Sequence, residues 1–310
     1  MLISVIEMIL PIGIAFALGV MMRKRKLMSD EGCDQIKKLV SVVLIPVILF
    51  NAFLFADYSR ESLAVIIVFF AAMLAVFGIG FLVRPLLPER GKYLPFVFGT
   101  VEGGTVGYPL LAMLYGTRGM SNMAILDAAH TAFLFLIAIP LLQAVDGSEP
   151  DLGKILKRAV LSPAFLSMVF GVALGLLGVD TLLMASPVYS IYQAVVDFLS
   201  APAAVLILIT LGYNISVRRD LLRPVLFTAF TRLVTMCIFC VLSSLIIFRF
   251  MPYSREWQTA LIIAFSLPAS YSIPLFAEIR GHRDYVSTAI SFETVVTLIV
   301  FAAVSVFARM

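Results

Sequence analysis

The sequence predicts an all-α polytopic membrane protein in which ten transmembrane helices form a 5+5 inverted repeat. Three observations predict this fold. The 310 residues are 61% hydrophobic and 14% charged, with a mean hydropathy of +1.05, far from the composition of soluble globular domains. Ten apolar runs of about 17 to 25 residues fill nearly the whole chain, and each is long enough to cross a bilayer. The third observation is that proline and glycine recur at similar positions in the two halves.

The first half divides into five predicted spans, with one short helix between the first two. In that connector, Ser29 is suited to cap a helix whose first turn holds Asp30 and Glu31, because a capping hydroxyl and nearby acids stabilise a helix N-terminus. Span 2 contains Pro46 near its middle, and span 3 is uninterrupted. The predicted spans 1 to 5 are residues 2–22, 39–56, 62–86, 93–115 and 120–145.

The second half repeats these features. Pro163 and Gly171 in span 6 have the spacing of Pro11 and Gly19 in span 1, and Pro202 in span 7 corresponds to the proline of span 2. Because each repeat has an odd number of spans, the second copy must insert in the opposite orientation. We therefore divide the single transmembrane domain into a first repeat (1–145), a cytoplasmic linker (146–159) and a second, inverted repeat (160–310). The predicted spans 6 to 10 are residues 160–179, 189–215, 221–250, 257–279 and 285–308.

Spans 4 and 9 are interrupted where a simple span would be apolar. Gly, Thr, Tyr and Pro are concentrated at 99–109, and Pro, Ser and Tyr at 267–274. Free backbone N–H and C=O groups are costly in hydrocarbon, so irregular backbone persists there only inside protein or beside a water-filled cavity. Interrupted helices at corresponding places in two halves indicate a transporter binding site.

The charges of the loops predict the orientation of the chain. Most Lys and Arg residues fall on one side of the predicted spans, and by the positive-inside rule that side is cytoplasmic, so both termini face outward. These basic clusters are explained by the orientation of the chain in the membrane. They therefore predict a lipid bilayer, not nucleic acid, as the partner. Cys237 and Cys240 lie within an apolar span without His or Asp neighbours, so we expect them to pack rather than to bind metal, and we expect no cofactor.

Charged and polar residues inside spans are the candidates for a site, because each needs a cavity or a partner at that depth. Glu102, next to Gly103 and Gly104, is the first candidate, either for transport or as part of a structural ion pair. Further candidates for binding a solute are Thr105, Tyr108, Pro109, Asn51, Asn214, Ser270, Tyr271 and Ser272, whose alternative roles are helix capping and helix–helix contact. Candidates for a coupling ion, H⁺ or Na⁺, are Glu102, Asp197, Asp127, His130 and Glu293. Arg232 is expected to pair with one of these acids or with an anionic solute.

The order of short motifs along the chain resembles the auxin efflux carrier family over all ten spans. The motifs are Leu-Ile-Pro-Val-Ile-Leu at 44–49, Gly-Tyr-Pro-Leu at 107–110, Leu-Gly at 211–212, and the prolines at 268 and 274. The resemblance implies that spans 4 and 9 cross at the middle of the bilayer, beside a bundle that moves like an elevator. It also implies a homodimer in the bacterial inner membrane, with periplasmic termini, that moves a small organic anion. The chain is more distantly similar to bile-acid symporters and sodium/proton antiporters.

One departure from the family pattern concerns the solute. Seven residues before Pro109, where the family commonly has Asn, this chain has Glu102. Asn offers a neutral donor and acceptor, whereas Glu is either an anion or a protonated donor. The resemblance therefore implies an anionic solute only if Glu102 is protonated, paired with a cation, or carries the coupling proton.

The sequence thus predicts a secondary transporter of a small-molecule substrate and not an enzyme. No GxxxxGK[ST], HExxH or GxSxG motif occurs, and His130 and His282 are the only histidines. The alternatives are a sodium-coupled symporter of the bile-acid type, a carrier of a cationic or neutral solute, and a channel or sensor.

Overall fold

In the computed structural model of the protein, the residues described are 2–56, 59–87, 91–146, 157, 160–214, 219–271, 273 and 282–308. Their regular secondary structure is entirely helical. Six helices in these ranges are long and apolar enough to cross a membrane: Asp30–Leu54, Arg60–Leu86, Gly119–Val145, Tyr189–Asn214, Leu222–Phe250 and Asp284–Val306. The all-helical membrane fold is therefore confirmed, whereas the ten-span inverted repeat stays a prediction.

The first four helices are α1 (Leu2–Lys24), α2 (Asp30–Leu39), α3 (Ile45–Leu54) and α4 (Arg60–Val83). The hydroxyl of Ser29 accepts a hydrogen bond from the Gly32 N–H at 3.0 Å, which confirms the predicted cap of α2. A π-helical segment, Val40–Leu44, joins α2 to α3. The connector and span 2 therefore form one continuous helix.

The structure confirms that span 4 is broken. Helix α5 (Leu94–Gly99) ends before three non-helical residues, 100–102, and a π-helical turn, Gly103–Gly107, leads into α6 (Tyr108–Phe133). We call residues 100–107 the first break. A second interruption, at Gly116 with φ of 58°, divides α6 between spans 4 and 5, and a residue without Cβ adopts this left-handed φ at least cost. The π-helical Leu134–Ala138 and α7 (Ile139–Asp146) complete span 5.

The second half contains six described helices. They are α8 (Pro163–Leu176), α9 (Val179–Met184), α10 (Tyr189–Asn214), α11 (Leu222–Phe250), α12 (Arg255–Ser266) and α13 (Arg283–Ala308). After α12 the backbone at 267–270 is non-helical, and we call residues 267–271 the second break. Ser272, residues 274–281 and most of the linker at 146–159 lie outside the described residues.

One group of helices packs through glycines that the repeat pattern singles out. A Cβ added to Gly19 of α1 would collide with the Ile209 carbonyl of α10, and one added to Gly212 of α10 would collide with the backbone of α1. A Cβ on Gly171 of α8 would lie 2.8 Å from the Phe50 carbonyl oxygen of α3. Helices α1, α3, α8 and α10 thus form what we call the glycine-packed bundle.

Six further helices pack around the two breaks. Helix α4 packs on α5 at Gly99, where a Cβ would lie 2.5 Å from the Phe77 Cβ, and α11 packs on α12 and α13. Contacts of α4 with α11 and of α6 with α12 join the two sets. We call α4, α5, α6, α11, α12 and α13 the crossing bundle.

Candidate transport site

The two breaks lie side by side and exchange hydrogen bonds. The Glu102 N–H donates to the Pro268 carbonyl oxygen at 2.8 Å, and the Ser270 N–H donates to the Thr100 Oγ1 at 3.1 Å. The Thr100 hydroxyl in turn donates to the Phe96 carbonyl at 2.7 Å. Backbone groups that lack a helical hydrogen-bond partner in one break are therefore hydrogen-bonded by the other break. Irregular backbone that is buried needs such partners.

The carboxylate of Glu102 lies between the two breaks and is only 8% exposed. Its Oε1 accepts hydrogen bonds from the Thr105 N–H at 3.2 Å and the Thr105 hydroxyl at 2.8 Å. Its Oε2 accepts from the Tyr271 N–H at 2.8 Å and from the Ser270 hydroxyl at 3.4 Å. An ionised carboxylate has about four acceptor sites, so these four donors occupy its capacity. Glu102 belongs to none of the ion pairs found within the described residues.

Arg232 of α11 contacts the helix ends that lead into the two breaks. Its guanidinium donates to the carbonyls of Thr100 at 2.8 Å, Leu267 at 3.0 Å and Phe98 at 3.4 Å. These carbonyls lie at the C-terminal ends of α5 and α12, where a helix carries partial negative charge. A cation that is 4% exposed therefore links both broken helices.

Glu293 of α13 is the acid that pairs with Arg232, as expected. Its Oε2 lies 3.4 Å from the Arg232 Nη1 and also accepts the Ala269 N–H at 2.9 Å. Its Oε1 has no hydrogen-bond partner within the described part of the chain. Glu293 thus balances the charge of Arg232 and binds the second break directly.

Asp127 and His130 bind the first break from α6. The His130 Nε2 accepts the Val101 N–H at 3.1 Å, and its Nδ1 lies 3.7 Å from the Asp127 Oδ1. A Cβ on Gly103 would collide with the Asp127 carboxylate, so the close approach of this acid requires glycine. The two residues predicted as a pair are therefore brought to the break together.

A cavity of about 320 Å³ lies between α3, α6 and α10, where the crossing bundle meets the glycine-packed bundle. Tyr108 and Pro109, at the start of α6, line it together with Asp197 and Ser200 of α10. The Tyr108 hydroxyl faces Asp127 but makes no hydrogen bond of normal geometry within the described residues, and neither does the Ser200 hydroxyl. Asp197 accepts a hydrogen bond from Gln193 at 3.0 Å. The cavity thus combines apolar walls with polar groups able to contact a solute.

Two predicted site residues are placed elsewhere. Asn214, at the end of α10, accepts from the Lys37 ammonium at 3.1 Å and donates to the Thr210 carbonyl at 2.6 Å, so the structure does not bring it to the crossing. Asn51 is buried, and its Oδ1 accepts the Tyr192 hydroxyl at 3.0 Å in a contact between α3 and α10. Thr100 lies in the interrupted stretch 99–109 but was not among the predicted site residues, although its carbonyl and its hydroxyl both bond at the crossing.

The described residues contain no group of three or more His, Cys, Asp or Glu side chains placed to hold a metal ion. Both cysteines of the CxxC on α11 are free thiols, Cys240 buried and Cys237 exposed.

Comparison with known proteins gives two matches. The sequence model of a family described as membrane transport protein matches residues 4–151, which include the first break. A protein of Methanothermobacter thermautotrophicus named as an uncharacterized transporter is 24% identical over 302 residues, covering 94% of this chain and 95% of that protein. Both comparisons point to transport across a membrane.

Proposed function

We propose that this chain is a member of the family described as membrane transport protein, the auxin efflux carrier family that its motifs resemble, and that it carries a small organic anion by secondary transport. The solute we propose is a mono- or dicarboxylate or an auxin-like acid. The observation that carries this proposal is the convergence of N–H and hydroxyl donors from both breaks on one carboxylate, that of Glu102.

The chemistry of these donors suits a carboxylate solute. The N–H groups of Thr105 and Tyr271 can only donate, and the Thr105 N–H belongs to the π-helical turn that leads into α6, where a helix start carries partial positive charge. Anions bind readily at such N-termini. The cavity beside Tyr108 has a volume within the range of small-molecule sites and supplies a route to the crossing from the boundary between the bundles.

The arrangement of the bundles supports an elevator-like motion. Both breaks belong to the crossing bundle, and the cavity lies where this bundle faces α3 and α10. Movement of the crossing bundle past the glycine-packed bundle would carry a solute at the breaks from one side to the other. The pairing of α1 with α10 and of α8 with α3 through Gly19 and Gly171 is what an inverted repeat requires, since spans 1 and 6 would be equivalent.

The proposal includes the membrane location of the chain and its oligomeric state. The chain is a multi-pass membrane protein, and we place it as a homodimer in the bacterial inner membrane with both termini periplasmic. The loops rich in Lys and Arg support this orientation.

Glu102 is the acid best placed to carry a coupling proton. A solute carboxylate arriving at the same donors would add a second negative charge, and a proton on Glu102 would cancel it. The titratable groups around it are Asp127 and His130 from α6 and the Tyr271 phenol from the second break. Arg232 and Glu293 contact the crossing from α11 and α13 and pair with each other, so neither neutralises Glu102.

The same geometry favours the proton over sodium and an anion over a cation. Sodium would need oxygen ligands near the crossing, where the carbonyls of Phe98, Thr100 and Leu267 accept hydrogen bonds from Arg232, and the positive charge of this guanidinium opposes a second cation beside it. A cationic solute would face the N–H groups and hydroxyl hydrogens of the two breaks, which bind acceptors and not cations.

A thermal-unfolding screen of the purified protein tests the proposed substrate class. Mono- and dicarboxylates are compared with organic cations, with and without sodium, at two pH values. A solute at 100 times its dissociation constant stabilises the folded state by about 2.7 kcal/mol. We expect stabilisation by carboxylates, stronger at the lower pH and independent of sodium. Stabilisation by cations or by sodium alone would contradict the proposal.

A further inference from the structure

Glu102 occupies the donors that we assign to the solute. We propose that Glu102 is a tethered carboxylate that closes its own site, so that the carboxylate of a solute binds only after Glu102 has left these donors. This inference rests on the proposed function, because it describes how the same site is controlled. It makes Glu102 a competitor of the solute as well as a carrier of charge.

The four donors that bind Glu102 are suited to a carboxylate. Two of them are backbone N–H groups, which accept nothing, and the other two are hydroxyls directed at the same carboxyl group. The donors come from two chain segments and converge on one buried position. They therefore favour an acceptor whose two oxygens are spaced like those of a carboxylate. A free carboxylate therefore matches what Glu102 supplies.

The second step concerns the strength of the competition. Glu102 lies three residues before Thr105, so its side chain reaches these donors through a short tether. A group on a short tether acts at an effective concentration of order millimolar or more. A free carboxylate must exceed this internal competitor, so the site is closed in this structure despite its fitting donors.

The third step is that there is room for Glu102 to leave. A Cβ added to Gly104 would have only the Glu102 Oε1 within 4 Å, at 3.8 Å, so the space beside the carboxylate is open on that side. A displaced carboxyl group would thus find space next to Gly104.

The opposing interpretation is that Glu102 only holds the two breaks together. Both interpretations expect Glu102→Ala to lower stability, but only the tethered-carboxylate interpretation expects a free carboxylate to restore it. Formate is the appropriate probe, because it has two oxygens and the smallest possible body. Formamide is its neutral counterpart, and chloride controls for ionic strength.

The test is thermal unfolding of three purified full-length proteins: wild type, Glu102→Ala and Glu102→Gln. We expect formate to raise the unfolding temperature of Glu102→Ala at concentrations about tenfold lower than any effect on wild type. Formamide and chloride should not reproduce the effect. Adding Thr105→Val to Glu102→Ala removes one hydroxyl donor and should weaken the formate response.

Two results would overturn the inference: a folded Glu102→Ala protein that ignores formate, or a formate response equal to that of wild type. If the alanine variant does not fold, Glu102→Gln replaces it, because glutamine keeps the shape but directs an NH₂ at the donors and should compete less well with formate. The readout needs no transport. If Glu102→Ala responds to formate but wild type transports no carboxylate, only the proposed function is contradicted. If wild type transports carboxylates but Glu102→Ala does not respond to formate, only this inference is contradicted.

Discussion

Replacing Arg232 by methionine should be the most destabilising single change at the crossing. The substitution removes a buried cation that pairs with Glu293 and donates to three carbonyls of the two broken helices. Removing one partner of a buried ion pair typically costs about 3 to 5 kcal/mol, because the remaining charge stays buried without compensation. We therefore expect a loss of that size in the free energy of unfolding.

The double variant Arg232→Met with Glu293→Gln separates the two causes of this loss. Glutamine removes the uncompensated charge yet keeps an oxygen for the Ala269 N–H, so the double variant should be more stable than Arg232→Met alone. What it does not recover measures the charge-assisted hydrogen bonds from Arg232 to the three carbonyls. The stability of Arg232→Lys should lie between those of wild type and Arg232→Met, because an ammonium keeps the charge but lacks the planar set of guanidinium donors.

The assay is unfolding of the purified protein in detergent, followed by temperature and by denaturant. The reasoning would be refuted if Arg232→Met unfolded like wild type. It would also be refuted if the double variant were no more stable than the single one, since the pair would then contribute nothing through its charge.

Two further predictions use glycine pairs with matched controls. Gly103→Ala places a Cβ against the Asp127 carboxylate, which must turn away from the first break, so we expect a loss near the lower end of about 1 to 3 kcal/mol. Gly104→Ala, with only the Glu102 Oε1 within 4 Å at 3.8 Å, should be nearly neutral. Equal losses in unfolding experiments would show that the approach of Asp127 is not the reason for glycine. Gly19→Ala forces a Cβ into the Ile209 carbonyl and should destabilise by a similar amount, whereas Gly13→Ala meets nothing within 4 Å; a stable Gly19 variant would contradict the close packing of α1 on α10.

Several features of the fold follow from local sequence alone. The cap at Ser29 and the break before Tyr108 could be predicted because each depends on residue types that have few alternatives: a short hydroxyl side chain in one case, and glycine and proline inside an apolar span in the other. The π-helical segments could not, because they add a residue to a helix without a distinctive composition.

The candidate site was predictable in its residue types but not in its pairings. The free-energy cost of burying a charge in a membrane span identified Glu102, Arg232 and Glu293 as residues that need partners. It could not predict that Arg232 pairs with Glu293 while Glu102 is bound by hydroxyl and N–H donors. That division depends on which side of the crossing each helix faces. Asn214 has the right chemistry, but the length of α10 places it beside α2.

The most direct test of the account is carboxylate uptake into liposomes that contain the purified protein. An inward proton gradient and an inward sodium gradient are imposed separately on wild type and on Glu102→Gln. We expect the proton gradient alone to drive accumulation by wild type, and we expect the variant to lose this pH dependence. Accumulation driven by sodium, or a variant whose pH dependence matches wild type, would contradict the role that we assign to Glu102.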